Sequence, residues 1–123
     1  MNIEQEVVTI NGVKYVPMDS VSEKAPQLDG MKYQIVRTHS AGVFAGYVES
    51  RNKQEVVIRN SRRIWYWDGA ASLSQMANEG VKKPDNCKFS QVVDRTELLQ
   101  VIEIIDVTEK AKKIIEGVKV WQN

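Results

Sequence analysis

Residues 59–75 read Arg59-Asn-Ser-Arg-Arg-Ile-Trp-Tyr-Trp-Asp-Gly-Ala-Ala-Ser-Leu-Ser-Gln75, and this stretch contains the change from strand to helix that decides the fold class. After a bend near Asn60, Arg62 to Trp67 reads as a strand. Alternation puts Arg63, Trp65 and Trp67 on one face and Arg62, Ile64 and Tyr66 on the other. One face must join a core and the other is free to meet a ligand; alternation alone does not choose between them. Ser72-Leu-Ser-Gln75 has the spacing of a capping box, and Gly80 stands where a helix needs a residue that tolerates positive φ. Leu73, Met76 and Ala77 form one apolar stripe on the short helix between.

Working back toward the N-terminus, Met31, Tyr33 and Ile35 alternate with Lys32 and Gln34 as in a half-buried strand. Thr38 to Gly42 is a turn, Val43 to Glu49 a second strand, Arg51 to Lys53 a turn, and Glu55 to Ile58 a third strand. Gly46 within the second strand marks a bulge or a close approach by another backbone or a ligand. Residues 1–18 read as an N-terminal hairpin arm, because two β-rich runs flank Asn11-Gly12, which suits a type I′ turn. Pro17 stops the second run or marks it as an edge. Such a hairpin is barely stable alone and must dock on its own body or on another subunit. Polar, turn-rich residues 19–30 read as a linker, and residues 31–123 as a single α+β ligand-binding domain.

Toward the C-terminus, residues 81–91 form a loop with three lysines, Asn86 and Phe89. Leu98 to Ile105 fits either a helical stripe or a buried strand, and its β-branched content selects the strand. Thr108 caps a helix to about Glu116, with Ala111, Ile114 and Ile115 inward and Lys110, Lys112 and Lys113 outward; Gly117 ends it. Val118 to Trp121 adds a short strand or packs as a tail. The expected architecture is α+β: a mainly antiparallel twisted sheet, two helices and an N-terminal β-hairpin arm.

Composition narrows the chemistry. The net charge of +1 gives no global basic field of the kind duplex DNA binding needs, so any anion site is local. No apolar run is long enough to span a bilayer, the acidic N-terminus does not resemble a signal peptide, and the single Cys87 fits a reducing compartment. These features predict a soluble cytoplasmic protein. One histidine, His39, and one cysteine cannot build a zinc cluster, and no P-loop or dinucleotide fingerprint appears. A Cys87–His39 nucleophile pair competes with the simpler reading of Cys87 as a small buried hydrophobe. The expectation is therefore a binding protein with no catalytic residue, metal or cofactor.

Arg62, Arg63, Lys82, Lys83 and Lys88 place cations around an aromatic centre, Trp65 and Trp67. Guanidinium forks match phosphate oxygens, indole faces stack on bases, and the helix start at Ser72 adds backbone N–H groups. Asn86, Phe89 and His39 complete the candidate ligand-binding set. The competing readings are a Trp-Tyr-Trp core strand, a charged strand edge, a core Phe89 and a turn His39.

The runs Arg37-Thr-His-Ser-Ala-Gly-Val-Phe-Ala-Gly46, Arg62 to Gln75 and Gly80-Val-Lys-Lys-Pro-Asp-Asn-Cys-Lys-Phe89 resemble a family of small phage and prophage proteins, the Thoeris anti-defence signal-sequestering (sponge) proteins. The likeness covers roughly residues 31–116, with Trp-Tyr-Trp-x-Gly-Ala-Ala-Ser as its distinctive block. It implies binding without cleavage of cyclic ADP-ribose isomers, such as glycocyclic ADP-ribose, made by TIR-domain proteins of an infected bacterium. It also implies a homo-oligomer, a dimer or higher, and cyclic oligonucleotides as a second ligand class. The candidate residues come from residue chemistry, not from the resemblance.

Overall fold

In the computed structural model the described residues are 23–122, together with the backbone of 8–10 and 13–15. β1 (Val8–Ile10) and β2 (Val13–Tyr15) pair antiparallel, Val8 opposite Tyr15 and Ile10 opposite Val13. The Asn11-Gly12 turn, Pro17 and the linker up to residue 22 lie outside the described residues. Residues 23–30, the described part of that linker, are bound to the body: the Ala25 N–H donates to Val107 O and the Glu109 N–H to Glu23 O.

The main sheet has six antiparallel strands built on a long hairpin. β3 (Lys32–Thr38), β4 (Val43–Asn52) and β5 (Glu55–Tyr66) are neighbours in that order. The outer edge of β5 is shared between β6 (Lys88–Phe89) and β7 (Val93–Leu98), and β8 (Val101–Asp106) pairs with β3. The expected third and fourth strands are therefore one. Asn60 bends the chain with φ 48° but does not break it, because asparagine tolerates the left-handed region and β4 pairs on both sides.

That bend is a bulge. Ala45 lies opposite Arg62 and Tyr47 opposite Arg59, so β5 carries one extra residue there. Gly46 makes the bulge possible: a Cβ on it would lie 2.7 Å from Ser61 Cβ and 3.0 Å from Arg59 O. The close backbone approach expected at Gly46 is present. The extra residue also reverses the facing of β5. Val56 and Ile58 enter one core, whereas Ile64 enters the other.

The sheet is curled as well as twisted. The His39 N–H donates to Gln100 O and the Val101 N–H donates to Gln54 O. One peptide group thus joins the turns at both ends of β4. Straight, ten residues of strand would span roughly 30 Å, so β4 must curve strongly. Inside the curl sit Val36, Phe44, Val56, Ile58, Leu98 and Val101.

The opposite face carries the larger core. α1 (Leu73–Glu79) and α2 (Glu109–Gly117) lay Met76, Ala77, Ala111 and Ile115 over Tyr33, Ile35, Tyr47, Ile64 and Phe89. The expected caps form: Ser72 accepts from the Gln75 N–H, Thr108 accepts from the Ala111 N–H, and Gly80 closes α1 at φ 76°. Thr108 also donates to Asn78 O, which fixes the two helices end to end. Its cap therefore has both local and tertiary partners.

Three expectations need correction. Leu98 to Ile105 is not one strand: Leu98 ends β7, Leu99 and Gln100 turn, and β8 starts at Val101. β7, Val-Asp-Arg-Thr-Glu-Leu, has no apolar alternation to reveal it; pairing with β5 makes it a strand. Lys112 is not fully outward: its stem packs inward and its ammonium lies over the Tyr33 and Tyr47 rings at 5.5 and 5.7 Å. Loop 81–91 contains the 3-10 turn Pro84–Asn86 and β6. The tail docks on β6, where the Trp121 N–H donates to Phe89 O.

Candidate ligand-binding site

Arg62 and Arg63 diverge to opposite faces of the sheet. Arg62 is 3% exposed. Its Nε donates to Ser90 O at 2.7 Å and Nη1 to Ile115 O at 2.9 Å, so it holds a carbonyl at the C-terminal end of α2. Its guanidinium lies over the Phe89 ring, and burial lowers its pKa from the ordinary arginine value. Phe89 is itself fully buried. The expectation that Arg62 and Phe89 face a ligand is not met, because the core has taken both. Arg63 is half-buried, with its guanidinium 4.8 Å from the Phe44 ring centroid and its buried Nε without a partner.

The exposed aromatic surface lies at the end of β5. Trp65 is 50% exposed and meets Trp121, 46% exposed, edge to face at 5.3 Å. Lys88, opposite Tyr66 in the register, places its ammonium 5.1 Å from the Trp121 ring centroid. Together these make an exposed aromatic pair, a platform with a cation over the Trp121 ring. Trp121 is the residue that sequence reasoning missed. Its signal was a tryptophan in a polar tail, but only the bond to Phe89 O brings that tail beside Trp65.

Trp67, Ser72, Asn86 and His39 share no side-chain hydrogen bond or ring contact with this platform. Trp67 does not share the face of Trp65: β5 ends at Tyr66, alternation stops, and Trp67 packs half-buried on the helix-covered core. The adjoining loop is tight, since a Cβ on Gly69 (φ 93°) would lie 2.5 Å from Lys82 N. This draws the Lys82-Lys83 backbone against the loop after β5, and Asn86 donates to Asp68 at 3.2 Å. Ser72 is exposed, with its hydroxyl accepting at the start of α1. His39 is exposed in the β3–β4 turn. Cys87 is buried with its thiol near Asp68 and Lys83 backbone, and burial raises its pKa. That environment suits an inert thiol.

Among the described residues no three His, Cys, Asp or Glu side chains come together as metal ligands, and no helix is long and apolar enough to cross a membrane. The platform can thus stack a flat group and hold an anion beside it, through Trp65, Trp121 and Lys88. No curated protein and no solved structure matches the chain. A family model described as a domain of unknown function, DUF6948, matches residues 31–115, from the start of the main sheet through Ile115 of α2. The chain belongs to this DUF6948 domain family.

Proposed function

We propose that this protein sequesters a cyclic ADP-ribose-type signal, glycocyclic ADP-ribose foremost, without cleaving it. The observation that carries the reading is the exposed Trp65–Trp121 pair with the Lys88 ammonium over the Trp121 ring. Stacking suits the adenine, and Lys88 with Lys82 and Lys83 suits the pyrophosphate. The resemblance to the Thoeris anti-defence sponge proteins supplies the biological setting: the cytoplasm of an infected bacterium, where withholding the signal blocks immunity. Cyclic oligonucleotides are the second ligand class on this reading.

The active unit is proposed to be at least a homodimer. Tyr66, Val120 and Trp121 are exposed beside Trp65, and an apolar patch of this kind suits an interface at which a second copy closes the pocket. A sponge must outcompete the host sensor, which asks for nanomolar affinity, about −12 kcal/mol. The test is calorimetric titration with glycocyclic ADP-ribose, followed by heating the complex and analysing the released molecule. Tight binding and intact ligand are expected. Altered ligand would make the protein an enzyme. Absent binding, with affinity for single-stranded oligonucleotides that rises with length and falls steeply with salt, would replace the reading with nucleic-acid binding.

A further inference from the structure

We infer that the outer edge of β8 and the cationic groove beside it form a docking surface for an extended acidic peptide segment, which adds to the sheet as a further strand. β8 ends the strand order, so among the described residues Ile102 to Ile104 have no strand partner on the side away from β3. The run Val101-Ile-Glu-Ile-Ile-Asp106 contains no lysine, proline or glycine; its pairing with β3 bulges at Ile102, which is 47% exposed, and the free edge begins after Val101, whose N–H is taken by Gln54 O.

Space for a strand is present beside that edge. An open groove of about 540 Å³ lies between residues 101–104 and Arg51, Lys53 and Gln54 of the β4–β5 hairpin. A second hollow of about 410 Å³ shares Arg51 and Ile104 with it but lies over the sheet face, since it adds Lys32 and Gln34 of β3 and Val48 of β4. Val101, Ile102 and Ile104 give the first groove apolar lining for side chains of a bound strand.

The charge of the groove sets the chemistry of its occupant. Arg51 and Lys53 make no ion pair among the described residues, whereas the charge of Lys32 is directed at Asp106. The one carboxylate of the lining, Glu103, is bound to Arg37 at 2.9 Å. Asp106, beyond the groove, is engaged by Gln34 and Lys24. Arg51 and Lys53 beside an unpaired strand favour a peptide that alternates acidic with apolar residues.

The test uses the full chain and a fluorescent synthetic heptapeptide alternating glutamate with valine and threonine. Anisotropy should show binding that weakens with salt, and hydrogen exchange should slow at Ile102 and Ile104. Arg51→Glu and Lys53→Glu, both at exposed positions, should each weaken binding about fivefold or more with an unchanged melting profile. Equal binding of a lysine-for-glutamate peptide would overturn the proposal. So would equal binding of a peptide with proline at its centre, or complete displacement by inorganic pyrophosphate, either of which would make the groove a small-anion site.

Discussion

Arg62 and Arg63 are adjacent in the chain and on opposite faces of β5, and the two faces have different work. Under the helices, Arg62 is surrounded: Phe89 lies against its guanidinium, Ser90 and Ile115 accept its protons, and solvent is excluded. On the other face Arg63 lies over Phe44, and Trp65, two residues further along β5, remains half in water. A buried guanidinium must find acceptors or be costly, so the helix-covered face commits its cation to structure. The open face leaves side chains able to meet a ligand. Composition cannot separate the two arginines; only the facing of β5 beyond its bulge does.

The sharpest way to break this contrast is Phe89→Ala on the covered face. Removing a fully buried ring that also underlies Arg62 should cost about 3–5 kcal/mol, read as a lower denaturant midpoint with an unchanged slope. Next, Arg62→Ala should cost about 2–3 kcal/mol by leaving the Ser90 carbonyl unpaired and Ile115 O with only the Val118 N–H, whereas Arg63→Ala should cost less than about 1 kcal/mol. Equal losses from the two arginines would refute the division of labour between the faces.

Trp65→Ala and Trp121→Ala test the platform. Each should change stability by about 1 kcal/mol, since the pair is exposed and edge to face, yet weaken glycocyclic ADP-ribose binding by roughly tenfold or more. A large loss of stability with retained affinity would assign the pair to the fold instead. Smaller still, Asn60→Gly should be neutral or stabilising by up to about 1 kcal/mol, because the bulge needs φ 48° there and glycine reaches it without a Cβ penalty. Thermal melts of the two proteins decide it.

The last effect is one of pH. The hydrogen bond from Gln34, helped by Lys32 and Lys24, holds the Asp106 carboxyl below its ordinary range. A depressed carboxylate contributes its stability above the unfolded value, near 3.9, and loses it as pH falls through the folded value. Gln34→Leu should move the Asp106 titration upward in an NMR pH series and shrink the acid loss. An unmoved titration would show that the lysines, not Gln34, set it.

Much of the local structure was legible because its causes are local. Ser72 and Thr108 cap their helices through a neighbouring N–H, and Gly80 supplies positive φ at a helix end. Tyr33 and Ile35 declare a strand face by spacing alone. The candidate site was legible in part: Trp65 and Lys88 lie at the platform, while Arg62 and Phe89 carry the same chemistry in their side chains and are buried.

The sequence by itself determined an α+β chain of mainly antiparallel strands, its helix ends, and the close approach at Gly46. Those follow from backbone sterics and from periodicity within a few residues. Tertiary structure alone decided that β5 runs unbroken through Asn60, that polar β7 becomes a strand, and that Trp121 returns to meet Trp65. It also decided which arginine is buried. These outcomes depend on pairing partners distant in the chain, and a bulge of one residue exchanges the two faces of everything that follows it.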